Sequence, residues 1–369
     1  MDRHGSVIRA AFDATPAKTG TAGVQRYVVD LSVALDRLEE VEIVRVSAPS
    51  GSGGRLRRGA ASLSRRAFYS VAMARDVRRR GAQLLHIPSP YFPRNLRVPM
   101  VLTVHDMLPW RYPEYVGRKQ ALRTKALLGR AAKRASRIIV GSEYTRNEVS
   151  KLLEVDPARV RVTPWGLDLR FAPVESTSMW LARRFGIPGR YVLSSGTREP
   201  RKNLVTLISA FESFQLENPE YTLVVVGERP NPGSAIEAAM NGSNARIVRA
   251  GFVTDEELVR LYGSAACFAF PSLYEGFGFP PIEAMACGAP VVCSDRASLP
   301  EIVGEAAVLV DPTDADLIAE GLQSVLGSPQ RATEYRERGL EHARRYTWPR
   351  CAEATAQIYR EALEDPVET

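Results

Sequence analysis

Short apolar runs rich in Val, Ile, Leu and Phe recur along the chain, separated by longer stretches in which apolar residues fall three and four apart. In the first half VIRAAF (7–12), VEIVRV (41–46), LLHI (84–87), PMVLTV (99–104), RIIV (137–140) and VRV (160–162) read as strands. YVLSS (191–195), YTLVVVG (221–227), ARIV (245–248), CFAF (267–270), APVVCS (289–294) and AAVLV (306–310) restart the pattern in the second. Segments such as VQRYVVDLSVALDRL (24–38) and RKQALRTKALLGRAAKRA (118–135) carry the period of amphipathic helices. Strands without clean polar alternation, set between helices, predict parallel sheets covered on both faces. Two such series predict two doubly wound α/β domains, residues 1–172 and 173–345. TPWGLDLRFAPVESTSM (163–179) follows neither period and is the expected linker, and a closing helical segment, 346–369, is placed to cross back to the first domain. Open parallel sheets bind ligands beyond the C-terminal ends of their strands, so the expected site is a cleft where two such domains face each other.

The 45% apolar and 25% charged content belongs to a globular protein and removes disordered and collagen-like classes. No apolar run approaches the roughly 20 residues of a membrane span, and the opening DRHGSVIRAAFDA lacks the apolar region of a secretory signal. Cys267, Cys287, Cys293 and Cys351 show no metal spacing and read as buried free thiols of a reducing compartment. A cytoplasmic protein is expected. The net charge of +7 is unevenly spread: residues 1–172 hold 31 Lys+Arg against 15 Asp+Glu, the remainder 18 against 27. The first half therefore suits an anionic partner.

YEGFGFPPIEAMACGAPVVCSD (274–295) follows the strand CFAF. Glu275 then falls in the loop at a strand end, while Pro280 and Pro281 suit the first turn of a helix, which would also hold Glu283 near its positive pole. Gly276 and Gly278 allow close backbone approach to a ligand. Two acceptors flanking a donor-rich loop fit a sugar joined to a nucleotide by a diphosphate. Upstream, SSGTREPRKNL (194–204) sets a glycine and clustered cations after another strand, as a diphosphate site needs.

The string from Glu275 to Glu283 resembles the E-x7-E motif of retaining glycosyltransferases of family 4, which have the GT-B fold of two facing Rossmann-like domains. The resemblance implies that Glu275 contacts the donor sugar, Glu283 the ribose hydroxyls, and Gly276, Phe277 and Gly278 the donor between them. It assigns a lysine and an arginine to the pyrophosphate. Lys202 matches the lysine; many relatives place the arginine directly after the glycine, where this chain has Thr197, so Arg198 is assigned, with Arg201 the second choice. KTGTAGVQRYVVDL (18–31) matches the family's glycine-rich loop, implying donor contacts from Gly20, Thr21 and Gly23. In VLTVHDMLPW (101–110), His105 aligns with a catalytic histidine near the donor sugar, with Asp106 beside it. In GFVTDEELVRLYGSA (251–265) the backbone around Val253 would face the base, and Thr254 with Glu257 forms a capping box.

The implied reaction is transfer of a hexosyl group from a nucleotide-sugar to an acceptor hydroxyl with retained configuration. Lys202, Arg198 and helix amides would stabilise the phosphate leaving group. No D-x-D stands at a strand end, and neither metal nor cofactor is expected. A glycosidase would need its two carboxylates to flank the scissile bond, and here a glycine-phenylalanine loop separates them. A GT-B phosphorylase or epimerase would also use two such domains, as would a catalytically inactive scaffold. A nucleic-acid binder is disfavoured because no reading module is recognisable. GTREPRKN, KTGTAGVQRY and VHDMLPW resemble the mannosyl- and rhamnosyltransferase-like subgroup of polysaccharide and glycolipid assembly, which points to GDP-mannose ahead of UDP- or dTDP-sugars. RLRRGAASLSRRAFYSVAMARDVRRR (55–80), with nine arginines around Phe68 and Tyr69, suggests peripheral contact with an anionic membrane, such as the inner face of the plasma membrane, bearing a lipid-linked acceptor.

Overall fold

The computed structural model describes residues 7–48, 68–93, 95–175, 177–196 and 198–365. The chain divides into two compact units, 1–166 with 346–369, and 167–345. The division at Gly166/Leu167 lies inside the expected linker stretch and ahead of the boundary expected at 172.

The N-terminal unit is built on β1 (Ile8–Asp13), β2 (Val41–Val46), β3 (Leu84–Ile87), β4 (Met100–Val104), β5 (Arg137–Val140) and β6 (Val160–Val162). They form one parallel sheet in the order β2-β1-β3-β4-β5-β6. Every residue of β3, β4 and β5 is buried, as expected of strands covered on both faces. Among its helices are α1 (Ala22–Leu35) and α2 (Arg118–Arg134).

The other unit holds β7 (Tyr191–Ser195), β8 (Thr222–Val226), β9 (Ile247–Gly251), β10 (Cys267–Phe270), β11 (Val291–Ser294) and β12 (Val308–Val310), in the order β12-β11-β10-β7-β8-β9. Its pairs are parallel too. Each of the twelve strands read from the sequence forms, with ends displaced by up to three residues. At β9, read as 245–248, a register shift at Val225/Val226 of the neighbouring strand carries the pairing on to Gly251. Helices α3 (Leu204–Glu217), α4 (Asp255–Ser264) and α5 (Phe279–Ala286) belong to this unit.

The last helix, α6 (Trp348–Glu364), belongs to the N-terminal unit and packs on α1 and on β3, β4 and β5. Its apolar face buries Ala352, Ala356, Ile358 and Tyr359, and Arg161 donates to Glu361 at 2.8 Å. A buried polar chain ties it in: Tyr359 hydroxyl to His86 Nδ1 at 2.7 Å, His86 Nε2 to Thr103 Oγ1 at 2.7 Å, and Thr103 to the Tyr27 hydroxyl at 2.8 Å. Burial, with a smaller contribution from His105, lowers the His86 pKa to about 3, so this imidazole is neutral.

Strand order fixes where a ligand can sit. In the C-terminal unit the chain works outward from β7 in one direction and from β10 in the other, so β7 and β10 border the topological switch point. In the N-terminal unit the corresponding crevice lies between β1 and β3.

Candidate active site

Lys202 reaches the switch point from the loop after β7, and Glu275 from the loop after β10. Gly196 ends β7 at φ +102°, and a Cβ there would lie 2.5 Å from Lys202 Cγ, so only glycine lets the lysine lie along the strand end. The turn Pro200–Lys202 then brings Arg201 and Lys202 together. Lys202 Nζ donates to Glu275 Oε1 at 2.7 Å, Arg201 pairs with the same oxygen at 2.5 Å, and the Ser272 hydroxyl donates to it at 2.8 Å. Burial alone would raise the Glu275 pKa; Lys202 and Arg201 outweigh it and hold the carboxyl at about 2. Burial lowers the Lys202 pKa, opposed mainly by the charge of Glu275. The ammonium also lies 4.5 Å from the Phe270 ring centroid. Among the described residues, Glu275 is the hydrogen-bond acceptor of this ammonium.

Arg198 goes elsewhere. Its side chain pairs with Glu228 beyond β8 and donates to the Arg229 carbonyl at 3.0 Å. The structure thus brings Arg201, the second-choice arginine, to Glu275. Thr197 lies outside the described residues.

From Glu275 the chain passes through a buried loop into α5. Gly278 has φ +103°, and a Cβ there would approach Leu299 Cδ2 to 2.6 Å, so this position too demands glycine. Phe277 is buried and meets Phe279 edge-on at 5.2 Å; its side chain packs inward while its carbonyl accepts from Ser298 at 3.0 Å. Pro280 and Pro281 lie in the first turn of α5, where missing N–H groups cost little. Glu283 departs from expectation: it is the fifth residue of the helix, in the second turn, because α5 begins at Phe279, ahead of the prolines. Its stabilisation by the helix pole is correspondingly weaker. The side chain is buried, and the Tyr262 hydroxyl of α4 donates to it at 3.4 Å. The helix ends in a Schellman pattern, Ala289 N–H to Ala284 carbonyl and Gly288 N–H to Met285 carbonyl, both 2.9 Å.

Along the same rim, β9 ends at Gly251, followed by buried Val253 and a full capping box between Thr254 and Glu257 that starts α4.

In the N-terminal unit a cavity of about 270 Å³ opens at the β1/β3 switch point. Its lining includes Thr15, Gly20, Tyr69, Ser89, His105 and Asp106. Thr21 is the residue before α1, and Gly23 is the helix's second residue rather than part of the loop, since α1 starts at Ala22. His105 bonds the Pro88 carbonyl, and its Nε2 is shielded with no partner among the described residues, so Nδ1 carries the proton. Burial, opposed by that bond, lowers its pKa to about 4. Tyr27 meets the ring edge-on at 4.9 Å. A neutral His105 with a free Nε2 lone pair can accept from a hydroxyl. Asp106 Oδ1 accepts from Leu108 N–H at 2.9 Å and shapes the following turn.

The basic stretch 55–80 falls outside the described residues up to 67. Tyr69 turns inward: it is buried, and its hydroxyl donates to the buried Asp13 at 2.7 Å. Asp13, Ser272 and Ser298 escaped the sequence reading. Asp13 ends a strand beside the glycine loop, a placement that offered a signal; the two serines belong to no charged motif and offered none.

Two family descriptions match the chain: "Glycosyltransferase Family 4" over residues 21–171 and "Glycosyl transferases group 1" over 185–342. The O-antigen chain mannosyltransferase B of Escherichia coli is 32% identical over 283 residues, covering 75% of this chain and 74% of that protein. A serotype-specific mannosyltransferase, WbdA, of the same organism is 28% identical over 64% of this chain, which spans only 30% of WbdA. Among solved structures, sucrose-phosphate synthase from Thermosynechococcus elongatus superposes with a TM-score of 0.76 over 97% of this chain and 99% of its own, at 21% identity. Anabaena Alr3699/HepE in complex with UDP and glucose gives 0.70 over 95% and 98%, at 19% identity. At such identities the structures speak for the fold alone, which is GT-B. On the family matches and the E. coli relative, the chain belongs to glycosyltransferase family 4.

Proposed function

We propose that this glycosyltransferase moves a hexosyl group, mannose first among candidates, from a nucleotide-sugar to an acceptor hydroxyl, with retention of configuration and without a metal ion or cofactor. One observation carries the reading: at the β7/β10 switch point a buried carboxylate and two cations, Glu275, Lys202 and Arg201, share one oxygen. A donor diphosphate would engage Lys202 and Arg201, whose fixed charges take the place of a divalent ion as the phosphate departs. Glu275 would accept from a sugar hydroxyl and Glu283 from the ribose, and His105 would serve as the catalytic histidine that the resemblance to the family implies. Retention follows if the acceptor attacks the face the phosphate leaves, with the phosphate taking the acceptor's proton. GDP-mannose is the first donor to test, because the relatives named above are mannosyltransferases; UDP- and dTDP-sugars follow.

The test incubates the protein with GDP-mannose, UDP-glucose and dTDP-rhamnose, with and without EDTA, and follows nucleotide release. Turnover in EDTA with one of these supports the reading. Turnover restored only by added Mg²⁺ or Mn²⁺ removes metal independence, and inversion at the anomeric carbon, read by NMR, removes retention.

The acceptor would be a carbohydrate or lipid-linked glycan, brought to the N-terminal unit at an anionic membrane surface. Support comes from α2, which carries seven Lys and Arg and no acid, with Leu122 exposed at 68%. Each near-surface cation is worth roughly 1 kcal/mol on anionic lipid. No helix among the described residues is long and apolar enough to cross a membrane. Failure to float with phosphatidylglycerol vesicles at low salt would exclude this partner.

A further inference from the structure

Two buried serines surround the Glu275 loop. Ser272 stands three residues before the carboxylate; its Oγ is 2.8 Å from Glu275 Oε1, 3.1 Å from the Arg201 carbonyl and 3.4 Å from the Tyr274 carbonyl. A hydroxyl has one proton, and the nearest, charged acceptor takes it. Ser298 comes from a different element. It follows Ala297, a non-glycine residue at φ +55°, a left-handed position that L side chains rarely adopt. The turn is tied at Arg296, whose N–H donates to Ser294 Oγ at 3.0 Å and whose guanidinium donates to Asp311 at 2.7 Å. It delivers the Ser298 hydroxyl between two carbonyls of the loop, Glu275 at 2.9 Å and Phe277 at 3.0 Å. The next residue, Leu299, is the side chain against which Gly278 rests. Both serines are fully buried.

The contacts converge on one atom. Lys202, Arg201 and Ser272 all meet Glu275 Oε1, so that oxygen has its complement of donors. The carboxylate cannot turn about its last bond without breaking three charge-assisted contacts.

We infer that Ser272 and Ser298 are positioning residues of the transfer reaction: Ser272 locks the Glu275 carboxylate and Ser298 its backbone, so that Oε1 stays engaged and Oε2 is presented to a donor-sugar hydroxyl. This rests on the reading that Glu275 meets the donor sugar. A glutamate held this way accepts a hydroxyl without reorganising, whereas a loose one must find its geometry in each turnover.

The experiment compares Ser272→Ala and Ser298→Ala with wild type. The donor is whichever of GDP-mannose, UDP-glucose and dTDP-rhamnose the wild type turns over, and binding of the matching nucleoside diphosphate is measured by calorimetry. The nucleoside diphosphate lacks the transferred hexose, whose hydroxyl is the group this inference places on Oε2. Each variant should lose about 5- to 10-fold in kcat, the scale of one hydrogen bond, while diphosphate Kd stays within about 2-fold of wild type. Unchanged kcat in both variants overturns the inference, as does an equal fall in kcat and diphosphate affinity, which reports general damage. Glu275→Ala is run alongside. If it too keeps full turnover, the underlying reading of the glutamate fails; if it loses turnover while both serine variants keep theirs, only the positioning role fails.

Discussion

Replacing Lys202 with alanine tests the centre of the site. Lys202 is one of two cations on Glu275 Oε1 and lies with its ammonium against Phe270. Breaking a buried ion pair by removing one partner costs roughly 3–5 kcal/mol; Arg201 stays on the same oxygen, so a loss of stability at or below the bottom of that range is expected. The kinetic effect is separate. A charge-assisted hydrogen bond to a donor phosphate is worth roughly 1.5–3 kcal/mol, or about 10- to 150-fold. In the proposed reaction negative charge grows on a donor phosphate as the sugar leaves, so the loss should fall on kcat as well as kcat/KM. A pH signature follows. In wild type Glu275 titrates at about 2, because Lys202 and Arg201 outweigh burial. Losing Lys202 removes the largest lowering influence, so the carboxyl titrates higher and the acid limb of the variant's activity profile moves to higher pH. The assay is steady-state nucleotide release between pH 4 and 8, with thermal denaturation in parallel. A variant that keeps kcat within 3-fold of wild type and an unshifted acid limb would refute the assignment.

Glu283→Ala should weaken nucleoside diphosphate binding by about 10- to 150-fold, whereas Glu275→Ala should spare it; calorimetry with GDP, UDP and dTDP separates the two and identifies the base. Gly196→Ala puts a Cβ 2.5 Å from Lys202 Cγ at φ +102°, so it should displace the lysine, cost about 1–3 kcal/mol in denaturant melts and lower kcat toward the Lys202→Ala level. His105 and His86 have folded-state pKa values of about 4 and 3, below the ordinary value near 6.5. The unfolded chain therefore binds more protons over that interval, and stability should decline as pH falls from about 6.5 through 4. His105→Gln should remove part of that decline, and a melting temperature flat from pH 7.5 to 4.5 would contradict the burial argument.

Periodicity made the twelve strands legible because each is a short apolar run inside a two-sided parallel sheet, where local sequence and tertiary burial demand the same residues. The Glu275–Glu283 string was legible for another reason: its glycines and prolines are dictated by backbone geometry at a strand-to-helix turn, so spacing alone marks the loop. Strand ends and helix starts were less secure. Glu283 was expected in a first turn and lies in the second, and Gly23 was expected in a loop and lies in a helix; one residue of propagation at an N-terminus costs too little for sequence to decide.

Sequence by itself determined that this chain makes two parallel α/β series and carries the E-x7-E string of family 4, since both are written in contiguous segments. Which side chains meet was decided by tertiary structure. Arg198 and Arg201 are three residues apart and chemically alike, yet only the turn Pro200–Lys202 beside Gly196 selects Arg201 for Glu275. Ser298, 23 residues beyond Glu275, becomes its backbone partner only because β11 pairs with β10 and the left-handed turn at Ala297 folds back onto the loop. Contacts between strand ends depend on strand order, and strand order is a property of the whole sheet rather than of any stretch of sequence.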